Sequence, residues 1–187
     1  GGGGLPAKLD PTGSGVSATP ILSAAFADPS TTVVLPLLHG PMGEDGTIQG
    51  LIELANLPYV GTGVLGSAVA MDKAMAKQVV AAAGIPQARY RAFAEHEMTP
   101  SLATAIVDDL GLPVFVKPAN MGSSVGVSKA SSVEELNAAI DVALSYDEVV
   151  VVEEAVTGKE IEVAVLGNNQ PTAATPGEIV PGDNFYS

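Results

Sequence analysis

The 187-residue sequence contains no cysteine, no tryptophan and only two histidines, His39 and His96. The lack of cysteine excludes disulfides, thiolate metal sites and a cysteine nucleophile, and two histidines argue against a multi-histidine zinc site. Aromatic residues make up only 4% of the chain, so its core must be aliphatic. No apolar run approaches the roughly 20 residues of a membrane span, and no secretion signal opens the chain. A cytoplasmic location is therefore the default expectation.

Basic residues are scarce as well. The chain has 8 Lys and Arg residues against 21 Asp and Glu residues, which gives a formal net charge of −13. A chain this acidic is repelled by nucleic acids and by anionic lipid surfaces, so we expect neither as a partner. Hydrophobic residues make up 47% of the sequence, which is enough to build a core and argues against disorder.

Both ends of the sequence look incomplete. Four glycines open it, and Gly, Pro, Ser and Thr stay common through Pro20, which predicts a flexible or poorly packed start. At the other end, no strand or helix is completed between Asp183 and Ser187. We therefore expect a fragment, or one part of a longer polypeptide.

Strand and helix patterns alternate through the rest of the chain and predict an α/β fold. Predicted strands cover residues 32–38, 57–61, 88–93, 114–117 and 149–153, and a final hairpin pairs residues 160–166 with 171–180. Predicted helices cover residues 47–57, 72–83, 100–110 and 132–144, with caps at Asp72, Thr99 and Ser132. This order divides the chain into a βαβ part (residues 1–64), linking helices (65–88) and a second unit (89–187).

The most informative segment is a loop of small residues after the strand over residues 114–117. The strand ends at Lys117, and the loop from Gly122 to Gly126 follows, with Ser123 and Ser124 inside it. Small residues let backbone N–H groups converge on an anion, so a lysine beside such a loop suggests phosphate binding. A tight hairpin turn with the lysine reaching solvent is the alternative, and spacing alone favours neither. The segment is neither a Walker A loop nor a Gly-x-Gly-x-x-Gly motif.

Acidic residues end the next predicted strand, and a lysine begins a predicted helix. Glu153 and Glu154 end the strand, and Glu160 begins the following one. These could frame a nucleotide base and ribose, although the pattern alone favours an ordinary solvated strand end. Lys73 lies where the helix dipole disfavours a cation, which suggests a nearby anion. The ordinary alternative is a surface lysine paired with an acid.

A third candidate segment joins the first predicted strand to the first predicted helix. His39 lies at the carboxyl end of that strand, a common place for a ligand in an α/β sheet. On isolated evidence, a hydrogen-bonded structural histidine is the more ordinary interpretation. Glu44 and Asp45 are placed to cap the helix that follows. His96 lies in a polar loop and receives no role.

Taken together, these segments resemble the D-alanine–D-alanine ligase family of the ATP-grasp fold. The stretch over residues 39–50, HGPMGEDGTIQG, is similar to that family's first signature over its full length. Further matching segments follow in the family's order and approximate spacing: residues 57–63, 71–73, 116–118 with 122–126, 152–154 with 158–160, 177–179 and 185–186. The resemblance covers roughly residues 33–187.

The resemblance implies an α/β ATP-grasp ligase with a partial N-terminal domain, a central ATP-grasp subdomain and a missing C-terminal subdomain. It also implies roles for individual residues. ATP would be bound by Lys73, Lys117, Gly122, Ser123, Ser124, Val125, Glu153, Glu154, Val156 and Glu160. Within this set the two lysines and Ser124 would hold phosphates, Glu153, Glu154 and Val156 would line the adenine pocket, and Glu160 would bind the ribose. The catalytic residues would be Ser123, in the network around the substrate, and His39, near D-alanine.

Two departures limit what the resemblance carries over. The family's N-terminal glycine-rich turn and its substrate-binding glutamate have no match in this sequence. The family's lysine–tyrosine pair, its catalytic arginine and its magnesium ligands belong to segments after Tyr186. We therefore expect the Mg²⁺ ligands beyond Ser187 and assign no metal ligand to any residue present.

The implied reaction is ATP-dependent joining of two D-alanines through an acyl phosphate, for peptidoglycan precursors in a bacterial cytoplasm, by a homodimer. Such phosphoryl transfer depends on positioning and charge neutralisation, which lysines and a glycine loop supply. Alternatives are a ligase that joins D-alanine to D-lactate or D-serine, another ATP-grasp carboxylate–amine ligase, or a nucleotide-binding module without ligase activity. A Rossmann-like domain predicts a glycine fingerprint after the first strand, and the sequence has none.

Overall fold

A computed structural model of the chain describes residues 30–180. Five α-helices are present in that range: α1 (Thr47–Leu54), α2 (Val64–Met71), α3 (Lys73–Ala82), α4 (Leu102–Leu110) and α5 (Val133–Leu144). A short 3₁₀ helix (Glu95–Glu97) precedes α4. The strands are β1 (Tyr90–Ala94), β2 (Val114–Pro118), β3 (Ser128–Ala130), β4 (Val149–Glu154), β5 (Glu160–Glu162), β6 (Val165–Leu166), β7 (Thr172–Ala173) and β8 (Gly177–Ile179). None of the described helices is long and apolar enough to cross a membrane.

The main sheet has four antiparallel strands in the order β1-β4-β2-β3. Successive side chains of a strand point to opposite faces, and the valines at alternate positions of β2 and β4 lie on one face. There they pack against α4 and α5 in the largest core cluster, which includes Val116, Val152, Ile106, Leu136 and Ile140. This aliphatic core agrees with the scarcity of aromatic residues.

The opposite face of the same sheet carries the polar groups of interest. Tyr90 of β1 and Phe115 of β2 lie opposite Glu153 of β4, and Lys117 lies opposite Val151. All of these side chains therefore share one face. Helix α3 covers that face where Ala74 packs with Ala119 and Val151. The sheet register thus brings Lys117 and Glu153 under α3.

Caps set the starts of two helices close to where the sequence predicts them. The Asp72 side chain accepts a hydrogen bond from Met75 N at 3.0 Å, and the Ser132 hydroxyl accepts one from Glu135 N at 3.1 Å. The Glu135 carboxylate bonds Ser131 N, one residue earlier than a reciprocal capping box requires. The helix predicted from residue 100 begins instead at Leu102, and its N-cap residue makes no side-chain bond.

The prediction of a buried strand over residues 32–38 is wrong. Only Val34 forms a bridge, a parallel one with Tyr59, and Leu37 is 79% exposed. The apolar run predicts a strand covered on both faces, but the described residues provide only one bridging neighbour for it. The strand predicted over residues 57–61 is likewise reduced to the bridge at Tyr59. With α1 between them, the two segments form a minimal βαβ connection.

The hairpin predicted over residues 160–180 is confirmed. Strand β5 pairs with β8, and β6 pairs with β7, both antiparallel. Its strand residues are exposed, apart from Ile179, which is partly buried.

Candidate functional site

The N-terminus of α3 is fastened to the end of β2. Lys73 N donates to the Ala119 carbonyl at 3.0 Å, and Lys73 Nζ donates to the carbonyls of Ala119 (3.3 Å) and Met121 (2.5 Å). No carboxylate lies within ion-pair distance of this ammonium in the described part of the chain. Within residues 30–180, Lys73 therefore bonds backbone carbonyls and does not pair with an acid, whereas the ordinary alternative expects such a pair.

The Lys73 ammonium is held in an unfavourable place for a cation. Burial lowers its pKa, and the neighbouring charge of Lys117 lowers it further, while Asp147 and Glu153 offset these effects only in part. An anion bound beside both lysines would relieve the repulsion between them. The surroundings of Lys73 therefore suit a site with a bound anion better than a site without one.

The hairpin alternative expects Lys117 to extend into solvent, and it does not. Its Nζ donates to Glu153 Oε2 at 2.5 Å, and the other carboxylate oxygen, Oε1, lies 2.9 Å from Lys77 Nζ. Burial alone would raise the pKa of the Glu153 carboxyl. The hydrogen bonds and charges of Lys117 and Lys77 outweigh that effect and hold the pKa below its usual value.

The loop between β2 and β3 exposes unused hydrogen-bond donors. Ser123 and Ser124 have positive φ angles of 48° and 59°, a conformation that turns successive N–H groups outward. Within residues 30–180, the N–H groups of residues 121–124 donate to no protein acceptor, and neither serine hydroxyl is hydrogen-bonded. The start of the loop is fixed, because Asp147 accepts from Asn120 N at 2.7 Å. Beside two lysines, donors that have no acceptor among the described residues fit a polyphosphate.

A cleft of about 590 Å³ lies between this loop and the segment that precedes α1. Its lining includes His39, Glu44, Gln49, Lys73, Gly122 and Ser123. His39 is exposed and makes no hydrogen bond to another described residue, so it is not the hydrogen-bonded structural histidine of the ordinary interpretation. The two predicted catalytic residues, His39 and Ser123, therefore face the same cavity as Lys73.

The segment before α1 is held by its own acids, as predicted for capping residues. Asp45 accepts from Met42 N at 2.7 Å and from Thr47 N at 2.9 Å, and Glu44 accepts from Gly40 N at 2.6 Å. Desolvation would raise the pKa of Asp45, but these backbone hydrogen bonds outweigh it and lower the pKa. The bonds fix the loop that carries His39.

The structure does not bring every predicted site residue together. Glu154 follows Glu153 and so points to the other face of β4, where its carboxylate accepts from Arg89 N and Arg89 Nε, both at 2.8 Å. These hydrogen bonds lower the pKa of the Glu154 carboxyl. Val156 and Glu160 are exposed beyond the end of β4. None of these three lines the cleft that holds His39.

Sequence reasoning missed Lys77. Its side chain is only 14% exposed, and its Nζ lies 4.8 Å from the centre of the Tyr90 ring. A signal was present, because residues four apart lie on one face of a helix, so Lys73 and Lys77 had to share a face. What the sequence did not reveal is that this face packs on the sheet beside Glu153.

Comparison with known proteins identifies the family. The family model described as D-ala D-ala ligase C-terminus matches residues 79–187, and the model described as D-ala D-ala ligase N-terminus matches residues 10–62. The chain belongs to the D-alanine–D-alanine ligase family. The expectation of an ATP-grasp fold within an α/β architecture is confirmed.

Individual relatives agree with this assignment. The chain is 56% identical over 163 residues to a D-alanine–D-alanine ligase of Bacillus pumilus, a match that spans 86% of this chain and 45% of that protein. A solved D-alanine–D-alanine ligase from Coxiella burnetii is 41% identical, with a TM-score of 0.77 over 81% of this chain and 45% of that one. The VanG D-Ala:D-Ser ligase of Enterococcus faecalis is 40% identical, with a TM-score of 0.76. The chain thus spans less than half the length of these relatives.

The described residues offer no fit for the magnesium that membership in this ligase family implies. Among residues 30–180, no group of three or more His, Asp or Glu side chains is placed to hold a metal ion. No chemical role for a metal follows from these residues.

Proposed function

We propose that this chain forms the ATP-binding side of an ADP-forming D-alanine–D-alanine ligase that makes a peptidoglycan precursor. The observation that carries the proposal is the convergence of Lys73, Lys117 and the N–H groups of residues 121–124, which have no acceptor within residues 30–180, beside the cleft that holds His39. The relatives named D-alanine–D-alanine ligase support the choice of substrates.

Phosphate binding is the role assigned to the lysines and the loop. Lys73 and Lys117 would neutralise phosphate oxygens, and the loop of Gly122, Ser123, Ser124 and Val125 would add backbone and hydroxyl donors. Because the loop lies over the cleft, its closure would exclude water and protect a reactive acyl phosphate from hydrolysis.

The base and ribose are assigned to the end of β4 and the residues after it. Glu153, already beneath α3, would line the base pocket through its side chain. Since the Glu154 carboxylate is bound to Arg89, its contribution would come from its backbone. Val156 would contact the base, and Glu160 would accept a hydrogen bond from a ribose hydroxyl.

The substrate side is assigned to the cleft. His39 and Ser123 would contact or orient the first D-alanine, whose carboxylate takes the terminal phosphoryl group of ATP while ADP leaves. The amine of the second D-alanine then attacks the acyl carbon, and inorganic phosphate leaves as the peptide bond forms and a proton is released. Binding of ATP and the two D-alanines side by side would contribute most of the rate enhancement, as expected for phosphoryl transfer.

The test is D-alanine-dependent release of ADP from ATP by the ligase of which this chain forms the ATP-binding side, in the presence of magnesium and with L-alanine as the control. We expect ADP and D-alanyl-D-alanine to appear in equal amounts with D-alanine and neither to appear with L-alanine. Equal ADP release with both enantiomers, or with no amino acid, would contradict the ligase assignment.

A second acceptor is kept as a candidate because the VanG D-Ala:D-Ser ligase resembles this chain about as closely as the Coxiella burnetii enzyme does. Mixed incubations of D-alanine with D-serine or D-lactate, analysed by mass spectrometry, distinguish the acceptors.

We also propose a homodimer in a bacterial cytoplasm with Mg²⁺ bound alongside ATP, on the strength of the family resemblance.

A further inference from the structure

We propose that Lys77 is a positioning residue for nucleotide binding, which engages one oxygen of Glu153 and so keeps the cluster of Lys77, Glu153 and Lys117 net positive and Lys117 available to phosphate. The inference rests on the proposed function, because it requires that this site bind ATP. It assigns a role to a residue that does not itself line the cleft.

The geometry shows one carboxylate shared between two ammonium groups. Glu153 Oε1 lies 2.9 Å from Lys77 Nζ, and Glu153 Oε2 accepts from Lys117 Nζ at 2.5 Å. The side chains of Lys77 and Glu153 are both 14% exposed, and that of Lys117 is 26% exposed. The pairs are therefore poorly screened by solvent, and a change in one is felt by the other.

The charge balance explains why Lys77 matters for the binding of an anionic ligand. Two ammonium groups and one carboxylate give the cluster a net charge of +1, beside the further cation Lys73. Without Lys77, Glu153 and Lys117 form a neutral pair, and both carboxylate oxygens can turn to Lys117. The pull of the site on phosphate then falls, although no residue that contacts phosphate has changed.

Tyr90 holds Lys77 in this place. The Lys77 ammonium lies 4.8 Å from the centre of the Tyr90 ring, a favourable cation–π arrangement, and Tyr90 lies opposite Glu153 in the sheet. Helix α3 supplies Lys77 four residues after Lys73, so both lysines reach the sheet from the same helix face. The arrangement orients Lys77 towards the carboxylate before any ligand arrives.

The proposal is tested by calorimetric titration with ATP and with adenosine, on the parent chain and on Lys77→Met, Lys77→Arg and Lys129→Met. Methionine keeps an unbranched apolar stem over Tyr90 but removes the charge. Lys129 is exposed on the edge strand β3, on the same sheet face as Glu153 but two strands away, and makes no ion pair within residues 30–180. Lys129→Met therefore removes one positive charge from that face without touching the ion pairs of Glu153. Thermal unfolding of each variant checks that it is folded. Should Lys77→Met not fold, Lys77→Gln is titrated instead.

We expect Lys77→Met to weaken ATP binding about tenfold, which corresponds to about 1.4 kcal/mol, while adenosine binding stays unchanged. Lys77→Arg should restore most of the ATP affinity, and Lys129→Met should bind like the parent. In the ligase reaction, the Lys77→Met substitution should raise KM for ATP with kcat largely retained.

Parent-like ATP affinity in folded Lys77→Met would overturn the role of Lys77 and leave the proposed function standing. Equal weakening of ATP and adenosine would also overturn it, since it would mark Lys77 as a purely structural residue. Failure of the parent itself to bind ATP would overturn the proposed function, and the role of Lys77 with it. The outcomes therefore separate the two claims.

Discussion

Glu153 is the residue on which the charge balance of the site depends. It neutralises part of the charge of Lys77 and Lys117 and has a lowered pKa, although it is largely buried. The strand pattern predicted that Glu153 ends a strand, and the family resemblance implied a place for it in the adenine pocket. The sequence did not indicate the partners of Glu153, because these pairs join positions far apart in the chain and depend on how α3 packs on the sheet.

We predict that Glu153→Gln lowers the free energy of unfolding by about 1–3 kcal/mol at pH 7, because two partly buried ammonium groups lose their charged acceptor. The folded-state pKa of Glu153 is lowered, so its contribution is present above the unfolded-state pKa of about 4.3 and is lost as the pH falls through the folded-state value. Urea unfolding at pH 7 and in steps below pH 4.3 measures both effects.

The control for this prediction is Glu148→Gln, at an exposed glutamate outside the site. Its unfolding free energy should match that of the parent at pH 7. An unchanged stability of Glu153→Gln at pH 7, or a difference from the parent that persists undiminished in acid, would contradict the assigned ion pairs.

At the scale of elements, the loop between β2 and β3 depends on its last glycine. Gly126 has a φ of +71°, and a Cβ built there would lie 2.8 Å from the Tyr146 ring and 3.0 Å from Pro118 Cγ. Pro118 is fully buried at the end of β2 and has little room to move. The glycine lets β3 begin shortly after this loop.

We predict that Gly126→Ala destabilises the chain more than Gly84→Ala does. Gly84 has a similar φ of +70°, but no atom lies within 4 Å of a Cβ built there. The Gly84→Ala substitution therefore measures only the cost of placing an alanine in a left-handed backbone conformation, about 1–2 kcal/mol. The additional loss of unfolding free energy in Gly126→Ala measures the clash of the new Cβ with Tyr146 and Pro118. Urea unfolding of the two variants gives the comparison, and equal losses would show that the loop repacks freely.

Element prediction from the sequence succeeded where local chemistry decides the outcome. The cap at Asp72 predicted the start of α3, and the short apolar runs of β2 and β4 predicted strands. It failed over residues 32–38, because an apolar run becomes a buried strand only when neighbouring strands flank it. Tertiary neighbours of that kind are not encoded in the run itself.

At the scale of the whole molecule, the distribution of charge matters more than its sum. The chain has a net charge of −13 and six lysines, of which Lys73, Lys77 and Lys117 gather at one end of the sheet. A local positive field in an acidic molecule guides an anionic ligand to one place.

The family was recognisable from its motifs, whereas the choice of acceptor was not, since relatives of similar likeness include a D-Ala:D-Ser ligase.

The central claim is that Lys117 belongs to a site for ATP phosphates, and calorimetric titration with ATP tests it most directly. The variants are Lys117→Ala and, as a control, His96→Ala in the short 3₁₀ helix outside the site. The account predicts that Lys117→Ala binds ATP at least about tenfold more weakly, a loss of about 1.4 kcal/mol, and that His96→Ala binds like the parent. Equal affinity of Lys117→Ala and the parent would contradict the phosphate assignment.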